Sequence, residues 1–160
     1  MKRTLIALIA LSLCPFAIAV AKPTTPKAAT APNDAIAKAK ALFARYVQLE
    51  HAFDPAQADL YADNATIVNN RIYPDGKKTR IPIAALRYKK LIRDTMADAR
   101  LKGDISNYSN ETYTLEGNKV RIRVTRYSVL KKYSSPMSQL VGPDATGKWV
   151  ILEEESESHV

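Results

Sequence analysis

The chain has 160 residues, with Lys+Arg 24 against Asp+Glu 16 and a formal charge of +8. Apolar residues make up 46% and charged residues 25%, a globular balance that fits one domain and excludes a mostly disordered or fibrous chain. One cysteine and two histidines exclude a disulfide framework, a zinc finger and an iron–sulfur protein, and five glycines leave little room for glycine-rich phosphate loops.

The first segment reads as an address. Met1-Lys2-Arg3 is a short basic start, Thr4 to Phe16 is almost wholly apolar, and small residues follow at Ala17, Ala19 and Ala21. These are the parts of a secretory signal peptide, with Ala19-Val20-Ala21 before Lys22 as the cleanest cut and Ala17-Ile18-Ala19 as the alternative. The apolar run falls short of the roughly 20 residues of a membrane-spanning helix, and Pro15 interrupts it. Leu13 before Cys14, with apolar residues continuing beyond, departs from the lipobox pattern. The expectation is a cleaved leader over 1–21, a periplasmic or secreted product, and a mature chain without cysteine. Residues 22–33 begin KPTTPKAATAP, lack large apolar side chains, and read as a disordered linker before a domain over 34–160.

Asn33 or Asp34 can cap a helix. Ile36, Ala39, Phe43, Tyr46, Leu49 and Phe53 then recur at three- and four-residue steps, which predicts one helix of about 20 residues. Asp54-Pro55 ends it, and Pro55 opens a second short helix over 56–62. Ala65 to Tyr73 is strand-like, Pro74-Asp75-Gly76 is a turn, and Lys77 to Ile81 is a partner strand. Helical spacing returns over 83–101, with Gly103 as the stop. Strands follow over 105–115, 119–130, 133–141 and 149–158, the first pair joined by Glu116-Gly117-Asn118. Val120, Ile122 and Val124 alternate with Lys119, Arg121 and Arg123, as expected of a sheet with one face covered and one solvated. The order predicts an α+β fold with helices on one side of an antiparallel sheet. Glu153-Glu154-Glu155 reads as solvated sheet edge.

Three local motifs carry a resemblance. They are Arg45-Tyr46-Val47 followed by Asp54, then Leu60-Tyr61-Ala62-Asp63-Asn64-Ala65-Thr66-Ile67, and finally Gly147-Lys148-Trp149-Val150-Ile151. In this order the chain resembles the nuclear transport factor 2-like superfamily, which includes SnoaL-like polyketide cyclases and ketosteroid isomerases, over about residues 36–158. The resemblance implies an exported bacterial member with a cone-shaped curved antiparallel sheet wrapped around N-terminal helices. It also implies a pocket that is catalytic in some relatives, ligand-binding in others, and a protein interface in a third group.

Ketosteroid isomerases use a carboxylate base on the first strand, a tyrosine on the first helix and a protonated acid on a late strand. By resemblance the tyrosine falls on Tyr46, the base position on Asn69 and the acid position on Ser138. An amide is no general base and a serine is a weaker donor than a carboxylic acid, so the scaffold carries over without the isomerase machinery. No residue is assigned a catalytic role, and no metal or cofactor is expected. Arg71 shares a parity with Asn69; facing a pocket it would suit a carboxylate ligand, and otherwise it sits at an exposed strand end or pairs internally. Tyr46 reads equally as a core residue. Tyr113, with Tyr108, Tyr127 and Tyr133, fits a pocket lining or an ordinary strand position. His51 near Asp54 reads as a base with its orienter or as a surface histidine at a helix C-terminus.

The basic residues around 77–93 and 119–126 are interspersed with Asp94 and Asp98 and read as a solvated face. The expected partner is a small apolar or anionic ligand, with a homodimer as an additional assembly, no nucleic acid, and no stable membrane anchor once the leader is cut. The function read from these residues is non-catalytic binding in a cone-shaped pocket, through Tyr46, Asn69, Arg71, Tyr113 and Ser138. The alternatives are a SnoaL-like cyclase, isomerase or dehydratase, and an interaction module that uses the open sheet face.

Overall fold

The computed structural model describes residues 32–159. The leader over 1–21 and almost all of the linker lie outside the described residues. Helix α1 spans Pro32–Ala52 and so starts slightly before the boundary expected at 34. Pro32 suits a first helical turn, where its missing N–H has no intrahelical partner. The stripe holds: Ala35, Ala39, Phe43, Tyr46 and Leu49 are buried. After α1, Asp54 accepts a hydrogen bond from the Ala56 amide at 2.8 Å and opens a short 3₁₀ helix, Pro55–Leu60. The short helix expected over 56–62 is therefore tighter and shorter, because Tyr61 and Ala62 already belong to the first strand.

Strand β1 covers Tyr61–Ile72 and β2 covers Lys78–Ala84. Helix α2, Ala85–Lys102, ends at Gly103, whose φ of 62° lets its amide reach the Ala99 and Arg100 carbonyls. Strands β3 (Ser106–Glu116), β4 (Lys119–Ser128), β5 (Tyr133–Pro143) and β6 (Trp149–His159) complete the chain. They form one six-stranded sheet in the order β2-β1-β6-β5-β4-β3. The sheet is mixed, not wholly antiparallel: β1 runs parallel to β6, Ile67 opposite Glu154. That pairing joins the β1–β2 hairpin to the β3–β6 meander, and the long connection through α2 makes a parallel neighbour feasible.

Both helices pack on one face of the sheet. α1 lies against β3, β4, β5 and β6, and α2 against β1 and β2. Val120, Ile122 and Val124 bury on that face, as their alternation requires, together with Ile67, Met137 and Ile151. Arg100 at the end of α2 donates to the Ala52 carbonyl at 2.7 Å and so ties the two helix ends together. The other sheet face is covered by charge: Arg121 bridges Glu116 and Glu153, and Lys78 pairs with Glu157.

Two irregularities redirect side chains. In β3 the register shifts between Ser109 and Thr112, and Asn110 adopts φ 56°. In β6 Ile151 pairs with Val141 and Glu153 with Leu140, leaving Leu152 as an extra residue. A bulge of this kind reverses the in–out parity beyond it. Glu154 therefore turns to the helix face and is 2% exposed. The expectation that Glu153-Glu154-Glu155 is solvated edge fails at its central residue.

Candidate functional site

Between the helices and the sheet lies a cavity of about 260 Å³. Its walls are Tyr46, Glu50 and Phe53 at the end of α1, Tyr88 on α2, Tyr108 on β3 and Arg126 on β4. Helical spacing places Tyr46, Glu50 and Phe53 on one side of α1. The period of two that buries Val120, Ile122 and Val124 carries on to Arg126, and Tyr108 stands directly opposite it in register. Phe43, Tyr46 and Tyr108 form an aromatic cluster, with Tyr46 edge-on to Tyr108 at 6.1 Å between ring centres.

Polar groups contribute much of the exposed lining, and several are held in place by hydrogen bonds. The Tyr108 hydroxyl donates to Glu50 Oε2 at 2.8 Å. Burial raises the Glu50 carboxyl above its ordinary value, partly offset by Tyr108, Ser106 and the Arg126 charge. Arg126 Nε is buried with no hydrogen-bond partner among the described residues. Burial also holds the Tyr46, Tyr88 and Tyr108 hydroxyls well above the usual phenol range, so they stay protonated donors at neutral pH. Tyr88 links the cavity wall to a second buried acid. Glu154 accepts from Tyr88 at 2.9 Å, Gln139 at 2.8 Å and Tyr61 at 2.5 Å.

The sequence-derived site residues separate. Tyr46 lines the cavity. Asn69 lies further along β1, donating to Ser156 Oγ and accepting from Ser158 Oγ at 2.7 Å, outside the cavity wall. Arg71 is exposed and lines a different groove, between β2 and α2. Tyr113 packs beside Lys40, Phe43 and Val47 on the outer flank of α1 and donates to Glu111. Ser138 pairs with Glu155, on the face away from the helices, while its neighbour Gln139 faces inward opposite Glu154. His51 is not coupled to Asp54: its Nε2–H donates to the Ser106 carbonyl at 2.8 Å, and Asp54 caps the 3₁₀ helix. Glu50, Arg126 and Glu154 were missed as site residues. Glu50 stands four residues after Tyr46, and Arg126 shares the parity of Ile122, so both carried a readable signal. Glu154 depends on the bulge and carried none. Among the described residues no group of three His, Cys, Asp or Glu side chains has metal-binding geometry, and no helix is long and apolar enough to cross a membrane.

No family model and no curated protein matches the sequence. Solved structures do match the fold. A nuclear transport factor 2-like protein of unknown function from Pseudomonas putida superposes with a TM-score of 0.61 at 12% identity, over 79% of this chain and 87% of that one. A nuclear transport factor 2-like protein with a cystatin-like fold from Novosphingobium aromaticivorans gives 0.53 at 17% identity, over 78% and 82%. A candidate dehydratase of the same family from Streptomyces avermitilis gives 0.57 at 10% identity, over 81% and 99%. The chain thus has the α+β nuclear transport factor 2-like fold.

Proposed function

We propose that this is an exported nuclear transport factor 2-like domain that binds a small, largely apolar molecule carrying an anionic or carbonyl oxygen. The observation that carries the reading is Arg126. Its Nε is buried and unpartnered at the wall of an aromatic-lined cavity. A buried donor left without an acceptor is costly, and a ligand oxygen removes that cost. The cavity, at about 260 Å³, lies just under the roughly 300–1,000 Å³ of ordinary ligand sites, which suits a small molecule. Export rests on the Met1–Ala21 segment, and N-terminal sequencing of the purified envelope fraction tests it.

Mass spectrometry of small molecules that co-purify with the protein tests the binding reading, followed by calorimetric titration with phenylacetate and cyclohexanone. The expected result is saturable binding that Arg126→Gln weakens while the circular dichroism spectrum is retained. A protein that carries no small molecule and binds neither probe refutes it.

One observation favours a second reading, an enzyme. Glu50, whose carboxyl is raised toward the range useful for proton transfer, shares the cavity with Tyr46. The fold similarity to a candidate dehydratase supports the same reading. Its chemistry would be removal of a proton next to a ligand carbonyl by Glu50, with Arg126 holding the developing oxyanion. Deuterium exchange next to the carbonyl of cyclohexanone, abolished by Glu50→Gln, is the expected sign. Exchange equal to the buffer rate refutes it.

A further inference from the structure

A second groove lies on the far side of α2, where the helix runs beside the edge strand β2. It is an open trough of about 650 Å³, and its floor is apolar: Ile81, Pro82 and Ile83 from β2 and Leu91 from α2. Leu91 is 48% exposed, whereas its neighbour Ile92 is buried. Two arginines, Arg71 and Arg87, stand at this floor, and neither enters an ion pair among the described residues. The acid at the groove, Asp94, is already held by Lys90 at 2.5 Å. The groove thus joins hydrocarbon surface to uncompensated positive charge.

We propose that this groove is a second ligand site, which takes a free long-chain fatty acid. The acyl chain lies on Ile81, Pro82, Ile83 and Leu91, and the carboxylate is held by Arg71 and Arg87. A guanidinium matches a carboxylate with paired N–H donors, and an apolar trough matches an unbranched chain. A peptide adding to the edge of β2 fits less well, since it meets Pro82, which has no N–H to give. A second copy would cover the trough with protein and exclude the acyl chain, an outcome that sedimentation reads. The site adjoins the cavity at Arg126 at Leu91, which lines both, but Arg71, Arg87 and the β2 floor belong to the groove and not to that cavity.

Sodium dodecanoate, kept below its micelle concentration, is titrated into the purified full chain and followed by calorimetry and by amide chemical shifts. The expected result is single-site binding with shifts centred on Ile81, Ile83 and Arg87, which line the groove and not the cavity. Both arginines are exposed, so the double variant Arg71→Gln, Arg87→Gln folds normally. It weakens dodecanoate binding by about tenfold or more, the worth of one charge-assisted hydrogen bond. Arg126→Gln leaves dodecanoate binding unchanged, and 1-dodecanol binds as weakly to the parent as dodecanoate does to the double variant. Several results overturn the proposal: no binding, shifts confined to the Tyr46–Arg126 cavity, equal binding of dodecyltrimethylammonium, or binding only to phosphatidylglycerol vesicles. A stable dimer in sedimentation that buries the groove and excludes dodecanoate also overturns it.

Discussion

Replacing Glu154 by leucine is the sharpest test of how the interior is held. The carboxylate is 2% exposed and accepts three hydrogen bonds, from Tyr61 at 2.5 Å, Gln139 at 2.8 Å and Tyr88 at 2.9 Å. Leucine has a similar volume and no acceptor. The transfer of an apolar side chain into the site is favourable, and the desolvation cost of the carboxylate is relieved. Against that, three buried donors are left unpaired at about 1–3 kcal/mol each, and the donors outweigh the relief because all three remain. The net expectation is a loss of about 3–5 kcal/mol, a large part of a typical domain stability of roughly 5–15 kcal/mol. Glu154→Gln keeps one oxygen for Tyr61 and Gln139 and costs about 1–2 kcal/mol. The neighbouring Glu153→Gln, whose half-exposed carboxylate pairs with Arg121 on the open sheet face, costs less than about 1 kcal/mol. Urea denaturation of the three variants, followed by fluorescence of Trp149, gives the order directly. Adding Tyr61→Phe and Tyr88→Phe to Glu154→Leu removes two of the orphaned donors and restores part of the loss. A Glu154→Leu variant within about 1 kcal/mol of the parent would refute the claim that these donors depend on the carboxylate.

The remaining predictions read different parts of the molecule. Burial raises the Glu50 carboxyl above its ordinary 4.5, so the folded state binds more protons than the unfolded state just above that value. Its contribution to stability is present below pH 4.5 and is lost as pH rises through the folded value. Glu50→Gln removes this dependence, so its stability relative to the parent rises from pH 4.5 toward neutrality in urea titrations at stepped pH. Gly142→Ala brings a Cβ to 2.8 Å from Lys119 Cγ and 3.2 Å from Leu152 Cδ1. Crowding of this kind costs about 1–3 kcal/mol, read as a lowered thermal midpoint. Asp54→Ala removes the acceptor that holds the Ala56 amide. A loss of about 1 kcal/mol by chemical denaturation follows, with Asp54→Asn retaining most of the stability.

Much of this molecule is written locally. The three- and four-residue spacing of Ala39, Phe43, Tyr46 and Leu49 dictates one buried stripe on α1, because helix geometry repeats every 3.6 residues whatever surrounds it. The alternation through Val120, Ile122 and Val124 dictates which side of β4 meets the helices, since strand geometry repeats every two residues. The turns at Asp75-Gly76 and Gly117-Asn118 and the stop at Gly103 follow from residue types that tolerate unusual backbone angles. Helical spacing put Tyr46 on the buried stripe and the family resemblance gave it a pocket position, while Glu50 and Arg126 were within reach of the spacing alone.

Other features exist only once distant segments meet. The parallel pairing of β1 with β6 joins segments more than half the described chain apart, and no local period encodes it. The extra residue at Leu152 matters because β5 offers one fewer partner there, and that mismatch turns Glu154 inward. The same pairing sends Gln139 to the interior and Ser138 to the open face, where a one-residue difference exchanges the two sides. Arg71 keeps the parity of Ile67, yet near the strand's far end it is exposed and lines the groove between β2 and α2 instead of the cavity. Side-chain period follows from backbone geometry alone, whereas burial, charge pairing and the cavity itself depend on which strand lies alongside, and that is decided by the folded whole.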